Sequence, residues 1–502
     1  MAYRRLFLLL LLSWHIAWAS ALNITTEQLG LTKDRGQLCT KALQAAIDKI
    51  SVNGGGRLTF TTGAYLTGTL ILKSHVELFF EEGAVLLGST NPYDYQLLQT
   101  ESIQDTRNDN ASMALLMADG GEDIVIRGQG CIDGQGLQLA LNIDSLHHTG
   151  ERIDAHYNVR RQRPSELVRP KLLFFYRCKD ISICDMYLKN SANWGLSFDL
   201  CEQMTLQNLH IQNRAYWNND GINLTDCRHV EINDCQINSA DDGICLKSYH
   251  VTAPPCSVCG GIATAHTIRI HDCDIRSSAS AVKFGTVSWG SIKDVHISDI
   301  KIADTFRSCV AIESVDGAQI DSILVERIHA KNTDNAIFLR LGQRTGNRKG
   351  CLKNITIRNL SCEIPFGRPD ENYDLRGPEV DFFHNPFPSS ICGIPDNRIE
   401  NVVLEDIKIS CPGRATRGMA YMPLWRVGDV PEQVEKSPEF SMFGELPSWG
   451  FYVRHVDGIT FKNVHLLLRD ADFRPAFVLD DVRHVVFDNV SPNELSDVFI
   501  HE

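Results

Sequence analysis

Three aspartates occupy equivalent places in two copies of one short motif. The segments Asp220-Gly-Ile-Asn-Leu and Asp242-Gly-Ile-Cys-Leu align, which puts Asp220 over Asp242 and Asn219 over Asp241. Carboxylates that share a site repel each other, so at least one pKa rises and a general acid becomes available beside a carboxylate that stays ionised. Two carboxyl groups in these different states are what glycoside hydrolysis needs. A solvated polar strip is the alternative, but a solvated face gains nothing from stacking like charges.

The aspartates lie within a series of sequence repeats. A small or apolar residue is followed by two polar ones and then by apolar-x-apolar, as in Cys178-Lys-Asp-Ile-Ser-Ile and Cys201-Glu-Gln-Met-Thr-Leu. Undisturbed copies lie about 23 to 28 residues apart, the period of coils that contain several short strands. The regular two-residue turns that antiparallel hairpins need are missing. The sequence therefore predicts an all-β fold, a single-stranded right-handed parallel β-helix (solenoid).

The segment before the first strands predicts a helix. Leu43, Ala46, Ile47 and Ile50 fall at helical spacing, and three glycines from Gly54 end the pattern. The first coil of a solenoid has a bare edge and an open apolar core. We therefore expect an N-terminal helical cap on that end.

The amino terminus has the pattern of a secretory signal. Arg4 and Arg5 precede the apolar run Leu6–Leu12, and Ala17-Trp18-Ala19 follows. The run is too short to span a bilayer, although a membrane anchor is the alternative. We expect residues 1–19 to be a signal peptide, residues 20–502 to form one catalytic β-helix domain, and the product to be secreted (extracellular or periplasmic) as a monomer without membrane contact.

Charge and glycine pattern exclude several classes of ligand. The formal net charge of −13 argues against a nucleic-acid partner, because phosphate binding needs a basic face. It also means that an acidic substrate needs locally placed cations. Gly128-Gln-Gly130 lies in a β coil with no following helix to hold phosphate. We expect no cofactor and no metal ion.

The repeat register sorts the cysteines, of which the chain has 16. Cys178, Cys201 and Cys227 share one column, whereas Cys235 and Cys273 replace apolar residues of another. Stacked core thiols that behave as small hydrophobes are favoured over disulfide bridges. Cys256-Ser-Val-Cys259 lies in an insertion, and a lone pair of this kind favours a loop staple or free thiols over a metal site.

Four insertions interrupt the repeats, at about residues 137–170, 248–262, 364–398 and 411–450. Such insertions map to loops outside the solenoid. The first carries five arginines, which could meet a polyuronate or form a solvated loop; they are Arg152, Arg160, Arg161, Arg163 and Arg169. The last two could wall a cleft and close one end of it, or only shield the side of the solenoid.

Polar residues in the columns beside the acids are candidate substrate ligands. Projecting the register through successive coils brings a set of amides, hydroxyls and cations onto one strip, and it consists of Asn193, Asn219, Lys247, Ser280, Lys283, Arg307 and Arg340. Lys283 is the first candidate for holding a substrate carboxylate, with Arg307 or Arg340 beside it, and an exposed strand lysine is the alternative.

These residues resemble a known family, glycoside hydrolase family 28, the polygalacturonases and rhamnogalacturonan hydrolases. Its Asn-Thr-Asp motif is similar to Asn218-Asn219-Asp220, and its Gly-Asp-Asp motif to Ala240-Asp241-Asp242. The run from Asn190 to Trp194 is similar as well. The resemblance implies a polygalacturonase-like glycoside hydrolase that acts on acidic plant cell-wall polysaccharide, a pectin of galacturonan or rhamnogalacturonan type, with inversion and without a cofactor.

The resemblance also implies residue roles. Asp241 would be the general acid, and Asp220 and Asp242 would together activate the attacking water. The chain departs from the family twice: Ala279-Ser280-Ala281 stands where polygalacturonases have Gly-His-Gly, and Ala311-Ile312-Glu313 where they have Arg-Ile-Lys. Two alternatives stay open, a non-catalytic β-helix protein that binds carbohydrate or adheres to surfaces, and a β-helix lyase, which would need calcium ligands and a base.

Overall fold

The computed structural model describes residues 21–33, 36–98, 112–249, 264–345, 348–369, 387–416, 424–492 and 498–501. The predicted signal peptide, Cys256, Cys259 and most of the 248–262 insertion lie outside the described residues. No helix of the described segments is both long enough and apolar enough to cross a bilayer.

The described residues form 29 strands in one continuous sheet. The first coils contain β1 (Leu22–Thr25), β2 (Gly56–Phe60), β3 (Gly63–Thr67), β4 (Leu70–Ile71), β5 (Val76–Phe80), β6 (Ala84–Gly88), β7 (Ala114–Asp119), β8 (Glu122–Gly128) and β9 (Cys131–Asp133). The central coils contain β10 (Lys171–Tyr176), β11 (Lys179–Cys184), β12 (Tyr187–Lys189), β13 (Leu196–Asp199), β14 (Glu202–Gln207), β15 (His210–Asn213), β16 (Ile222–Thr225), β17 (Arg228–Asn233), β18 (Gln236–Ser239) and β19 (Ile244–Ser248). The later coils contain β20 (Thr264–Ser277), β21 (Val282–Ser288), β22 (Ser291–Ser314), β23 (Gln319–Leu341), β24 (Cys351–Glu363), β25 (Ser389–Cys392), β26 (Ile399–Cys411), β27 (Phe451–Leu468), β28 (Phe477–Ser491) and β29 (Val498–His501).

Every pairing between these strands is parallel and joins one coil to the next. β13 pairs with β16, β16 with β19, and β19 with β21. A neighbouring ladder of parallel strands forms in the same way from β14, β17 and β20. The parallel coil predicted from the repeats is confirmed, and a right-handed winding is the sense that parallel crossovers strongly favour.

The core runs along the inside of the coil as ladders of apolar side chains. One ladder contains Leu196, Ile222, Ile244, Val282 and Val310, all with at most 1% of their surface exposed. Full burial of each such aliphatic side chain contributes about 1.5 to 3 kcal/mol. The period-two alternation of the repeats thus fixes which residues face inward and which face out.

Asp and Asn recur at the corners of the coils for a backbone reason. Asp185, Asn208, Asp234, Asp272 and Asp299 all have φ between 49° and 60°. Asn and Asp tolerate this left-handed region better than other residues with a side chain. The Asp or Asn after each apolar-x-apolar unit therefore turns the chain from one strand into the next.

Two α-helices occur in the described residues. α1 (Thr40–Val52) buries Leu43, Ala46, Ile47 and Ile50, the residues that predicted it. α2 (Gly136–Thr149) lies in the first insertion, where we predicted only a loop. Its amino-terminal residue, Gln135, makes no side-chain capping bond, so the usual signal for a helix start is missing.

The cysteines of the described segments carry free thiols. The strand register stacks Cys178, Cys201 and Cys227 on successive coils, and Cys235 next to Cys273. Burial raises the pKa of Cys201, so its thiol stays protonated. The prediction of stacked core thiols is confirmed for these residues.

We expect Cys178, Cys201 and Cys227 to resist alkylation in the native protein, because their side chains are buried and the reagent cannot reach them. All three should react after unfolding in denaturant without reductant. Peptide mass spectrometry after iodoacetamide treatment measures both states, with the half-buried Cys351 as the internal comparison. If any of the three cysteines is alkylated only after reductant is added to the unfolded protein, that cysteine forms a disulfide bridge.

Candidate active site

The coil spacing brings Asp220 and Asp242 together. Each lies two residues before the start of its strand, and the register pairs Ile222 with Ile244. The backbone N–H of Gly221 donates to the carbonyl of Asp242 at 2.9 Å. A Cβ on Gly221 would lie 2.4 Å from the carbonyl oxygen of Gly243, so only glycine allows this approach. The predicted alignment of the two acidic motifs on neighbouring coils is confirmed.

The three aspartates differ in burial and in pKa. Asp220 and Asp242 are 3% and 5% exposed, whereas Asp241 is half-buried. Burial, and then the charge of Asp242, raises the pKa of Asp241. Burial acts on Asp242 too, but Lys283, Arg307 and the Ser280 N–H outweigh it and lower its pKa. The pKa values of these two neighbouring residues are thus shifted in opposite directions.

Each buried acid is neutralised by a lysine from the coil that follows. Lys247 Nζ lies 3.6 Å from Asp220 Oδ2, and Lys283 Nζ lies 3.2 Å from Asp242 Oδ2. Lys247 also donates to Asn223 Oδ1 at 2.8 Å and lies over the Trp194 ring. Burial and the other two aspartates keep the pKa of Asp220 well above its usual value despite Lys247.

Two glutamates that we did not predict complete the charge network. Arg307 Nε lies 2.8 Å from Glu439 Oε2, which comes from the 411–450 insertion. Glu313 is 2% exposed, and burial raises its pKa to about 7 although Lys283 opposes the rise. Thr286 Oγ1 donates to it at 3.4 Å. Glu313 is visible in the sequence as the departure from Arg-Ile-Lys, whereas nothing in the sequence marks Glu439.

Asn193 and Asn219 serve the backbone instead of lining an open cleft, because both are fully buried. Asn219 donates to the carbonyls of Ser191 and Asn193, and its own Oδ1 accepts from the Tyr216 N–H. Asn193 donates to the carbonyls of Glu166 and Arg169 in the first insertion. Both residues thus position the backbone beside the acids, and their contact with substrate stays a prediction.

Ser280 also acts through its backbone. Its N–H donates to Asp242 Oδ1 at 3.1 Å, and its side chain is 3% exposed. It lies in the column predicted for it, one coil after Asp242.

The prediction that Arg340 contacts substrate is wrong, because the structure buries this side chain. Its side chain has no exposed surface, and its guanidinium donates to four backbone carbonyls, those of Cys392, Gly393, Glu432 and Gln433. The ring of Phe443 covers it at 5.2 Å. The period-two alternation correctly predicted that the Arg340 side chain points out of the coil. The 411–450 insertion covers the side chain there.

The first insertion is attached to the turn that carries Asp220. Arg169 is fully buried and donates to the carbonyls of Ala192 and Trp217 at 2.6 and 2.7 Å, and to Asn218 Oδ1 at 2.8 Å. α2 lies beside it, since Leu139 and Ile143 contact Ala192. An arginine-rich insertion was predicted near the site, but which arginine anchors it was not.

No group of three or more His, Cys, Asp or Glu side chains in the described residues is arranged to hold a metal ion. The site brings together three aspartates, two glutamates, two lysines and an arginine, and the cations lie close enough to stabilise negative charge.

We expect Arg340→Met to destabilise the protein without changing substrate affinity. The substitution leaves buried carbonyls without donors, and about 3 kcal/mol of unfolding free energy should be lost. Denaturant unfolding and KM measure the two effects. Arg483→Met is the matched control, because Arg483 is exposed on β28 and its loss should cost at most about 1 kcal/mol. A raised KM at unchanged stability would return Arg340 to the cleft.

Known proteins resemble the chain in sequence and in fold. A probable polygalacturonase of Vitis vinifera is 28% identical over 295 residues, which cover 57% of this chain and 54% of that protein. The chain thus spans about half the length of this relative. The family 28 exopolygalacturonase of Yersinia enterocolitica has a TM-score of 0.62 at 16% identity, covering 93% of this chain and 78% of that one.

A second solved structure agrees with this fold. The hyperthermoactive exopolygalacturonase of Thermotoga maritima has a TM-score of 0.60 at 18% identity, covering 78% of this chain and 87% of that one. At identities of 16% and 18%, the two solved structures show that the fold is shared and nothing further. The model of glycosyl hydrolases family 28 matches residues 95–360, just over half of the chain, and includes all three aspartates. The chain belongs to glycosyl hydrolases family 28.

Proposed function

We propose that the protein hydrolyses α-glycosidic bonds in a pectic polysaccharide, of galacturonan or rhamnogalacturonan type. The observation that carries this proposal is the opposite pKa shift of the adjacent residues Asp241 and Asp242. A glycosidase needs one carboxyl group that still holds a proton and one that has lost it. The family of the chain and its polygalacturonase relative support the choice of substrate.

Asp241 is the general acid in this proposal. Its raised pKa keeps the proton that the leaving oxygen needs, and its half-buried position lets a substrate reach it. Asp242 is the base, since Lys283 holds it ionised. Asp220 faces the same water from the preceding coil and orients it. Attack by this water on the side opposite to the leaving group inverts the anomeric carbon.

The three cations of the site each pair with an acid, which favours a role in stabilising those carboxylates over a role in binding substrate. Lys247 is committed to Asp220, Lys283 to Asp242 and Arg307 to Glu439. We had expected Lys283 to hold a substrate carboxylate. Its contact with Asp242 favours a role in keeping the base ionised, and the measurements below separate the two roles.

The remaining parts of the proposal concern the setting of the enzyme. We infer that residues 1–19 direct secretion, so that the protein meets cell-wall polysaccharide as an extracellular or periplasmic monomer. We infer also that α1 caps the first coil, because it lies against β1 and β2 and its apolar face enters the common core.

We expect Asp241→Asn to lower kcat on defined pectic oligosaccharides by about 10² to 10⁴, the contribution of a positioned general acid. The wild-type enzyme should release reducing ends whose first-formed anomer, observed by proton NMR, has the opposite configuration to the bond cleaved. Substrate binding by the variant, measured by calorimetry, should persist.

Asp234→Asn is the matched control, since Asp234 is an exposed corner residue of the neighbouring strand and should keep full activity. Binding without any hydrolysis by the wild type would point to the adhesive alternative. An unsaturated product that absorbs in the ultraviolet would point to a lyase, and a retained anomer would overturn the inverting mechanism.

We expect Lys283→Met to shift the acidic limb of the pH–rate profile upward by about one unit or more. In the wild type Lys283 lowers the pKa of Asp242, so the base stays ionised as the pH falls. Without the lysine Asp242 takes up its proton at higher pH, and activity is lost there. The profile of kcat/KM measures this shift.

Lys293→Met is the control for charge alone, because Lys293 is exposed on β22. An unmoved acidic limb together with a raised KM for acidic substrate would assign Lys283 to the substrate carboxylate instead.

A further inference from the structure

The outward face of the sheet that carries the acids changes in character along the stack of coils. One outward column runs beside the acids and continues through the later coils. Near the acids its members are Ser197, Asn223, Cys245 and Lys283, and further along they are Ala311, Phe338, Ser390, Tyr452 and Val478. Large apolar side chains on an outward column need a cover, because folded chains rarely expose apolar patches of this size.

The 411–450 insertion is that cover. Six of its apolar side chains pack on the later part of the column in one buried cluster, and they are Val427, Val430, Phe440, Met442, Phe443 and Leu446. From the solenoid side, Arg340 donates to the backbone carbonyls of Glu432 and Gln433. Buried apolar contacts and buried hydrogen bonds therefore both fix the insertion on this face.

The covered region begins at the pair formed by Arg307 and Glu439. Both side chains are partly exposed, at 16% and 19%, and the two charged groups are 2.8 Å apart. Asp334 and Asn335, which occupy the next coil, have no exposed surface, and Asn335 donates to the carbonyl of Pro388. The accessible part of the face thus ends where Glu439 meets Arg307.

The proposed catalytic acids lie close to this end. The coils of Asp242 and Arg307 are two strand spacings apart, about 10 Å. On the other side of the acids, Trp194 lies one coil before Asp220 and is only partly buried, so accessible surface continues there. A sugar chain bound at the acids has room for a short segment towards Glu439, and the remainder of the chain lies on the Trp194 side.

We propose that the 411–450 insertion closes the substrate cleft two coils beyond Asp242, so that the enzyme removes short units from the end of a sugar chain and leaves internal bonds intact. The inference deepens the proposed function and rests on it. A polysaccharide that is cut at an internal bond occupies the cleft on both sides of the acids, whereas a chain end needs an open cleft on one side only. Glu439 and the apolar cluster behind it occupy the space that the second side would need.

The test uses a long pectic oligosaccharide, of galacturonan or rhamnogalacturonan type, in three forms. One form is uncapped, one carries a bulky fluorophore on its reducing end, and one carries the same fluorophore on its non-reducing end. For the wild type we expect one of the two caps to lower kcat/KM about a hundredfold or more, because that end cannot fit against the wall. The other cap should change kcat/KM by less than about twofold.

The uncapped form should yield one short product from the first minutes of the reaction. Small and equal effects of both caps, together with early products of many lengths, would overturn the proposal while the proposed function stands. Failure of the wild type to cleave any form of either oligosaccharide would reject the proposed function itself.

Variants of Glu439 test whether this insertion is the wall. Glu439→Ala opens the closed end, so the penalty of the blocking cap should fall at least about fivefold. Glu439→Gln keeps the size of the side chain without its charge and should keep the full penalty. Glu445→Ala is the matched control, because Glu445 is exposed in the same insertion. A cap penalty that stays the same in Glu439→Ala would contradict the assignment of the wall to this insertion.

Discussion

Neighbouring parallel strands lie about 4.8 Å apart, and this spacing decides which charges of the molecule meet. Asp220 and Asp242 occupy one column on successive coils, so the backbone keeps the two residues next to each other. The same register brings Lys247 and Lys283 beside them. Each lysine reaches back to the acid of the preceding coil, at 3.6 and 3.2 Å. The stack therefore converts a sequence repeat into a diagonal series of ion pairs.

That diagonal leaves the half-buried Asp241 without a lysine of its own. Its side chain accepts the Asp242 N–H, while Lys283 is spent mainly on Asp242. Of the three aspartates, Asp242 is the one whose pKa is lowered, because Lys283, Arg307 and the Ser280 N–H together outweigh the effect of its burial. The opposite pKa shifts of Asp241 and Asp242 thus follow from where the cation of the next coil reaches, since Lys283 Nζ lies 3.2 Å from Asp242 Oδ2.

Residues on the regular coil could be predicted, and residues that depend on insertions could not. Period-two alternation was enough to find the columns of Asp220, Asp242 and Lys283, because every coil repeats the same backbone. Arg340 obeys that alternation as the partner of Glu313, yet the carbonyls of Glu432 and Gln433 enclose it. Contacts between an insertion and the solenoid have no periodic signal. For the same reason the roles of Arg169 and Glu439 were not visible.

The insertions therefore carry the chemistry that distinguishes this chain within its fold. One delivers Glu439 to Arg307 and so removes a cation from the open site, while the other delivers the arginine pair that surrounds Trp217. The strand register sets the spacing of Asp220 and Asp242, while Arg169 of the first insertion is bonded to the turn that carries Asp220. In this chain Glu313 stands at the coil position where a cation is expected, and Lys283 of the preceding coil supplies the cation beside the acids.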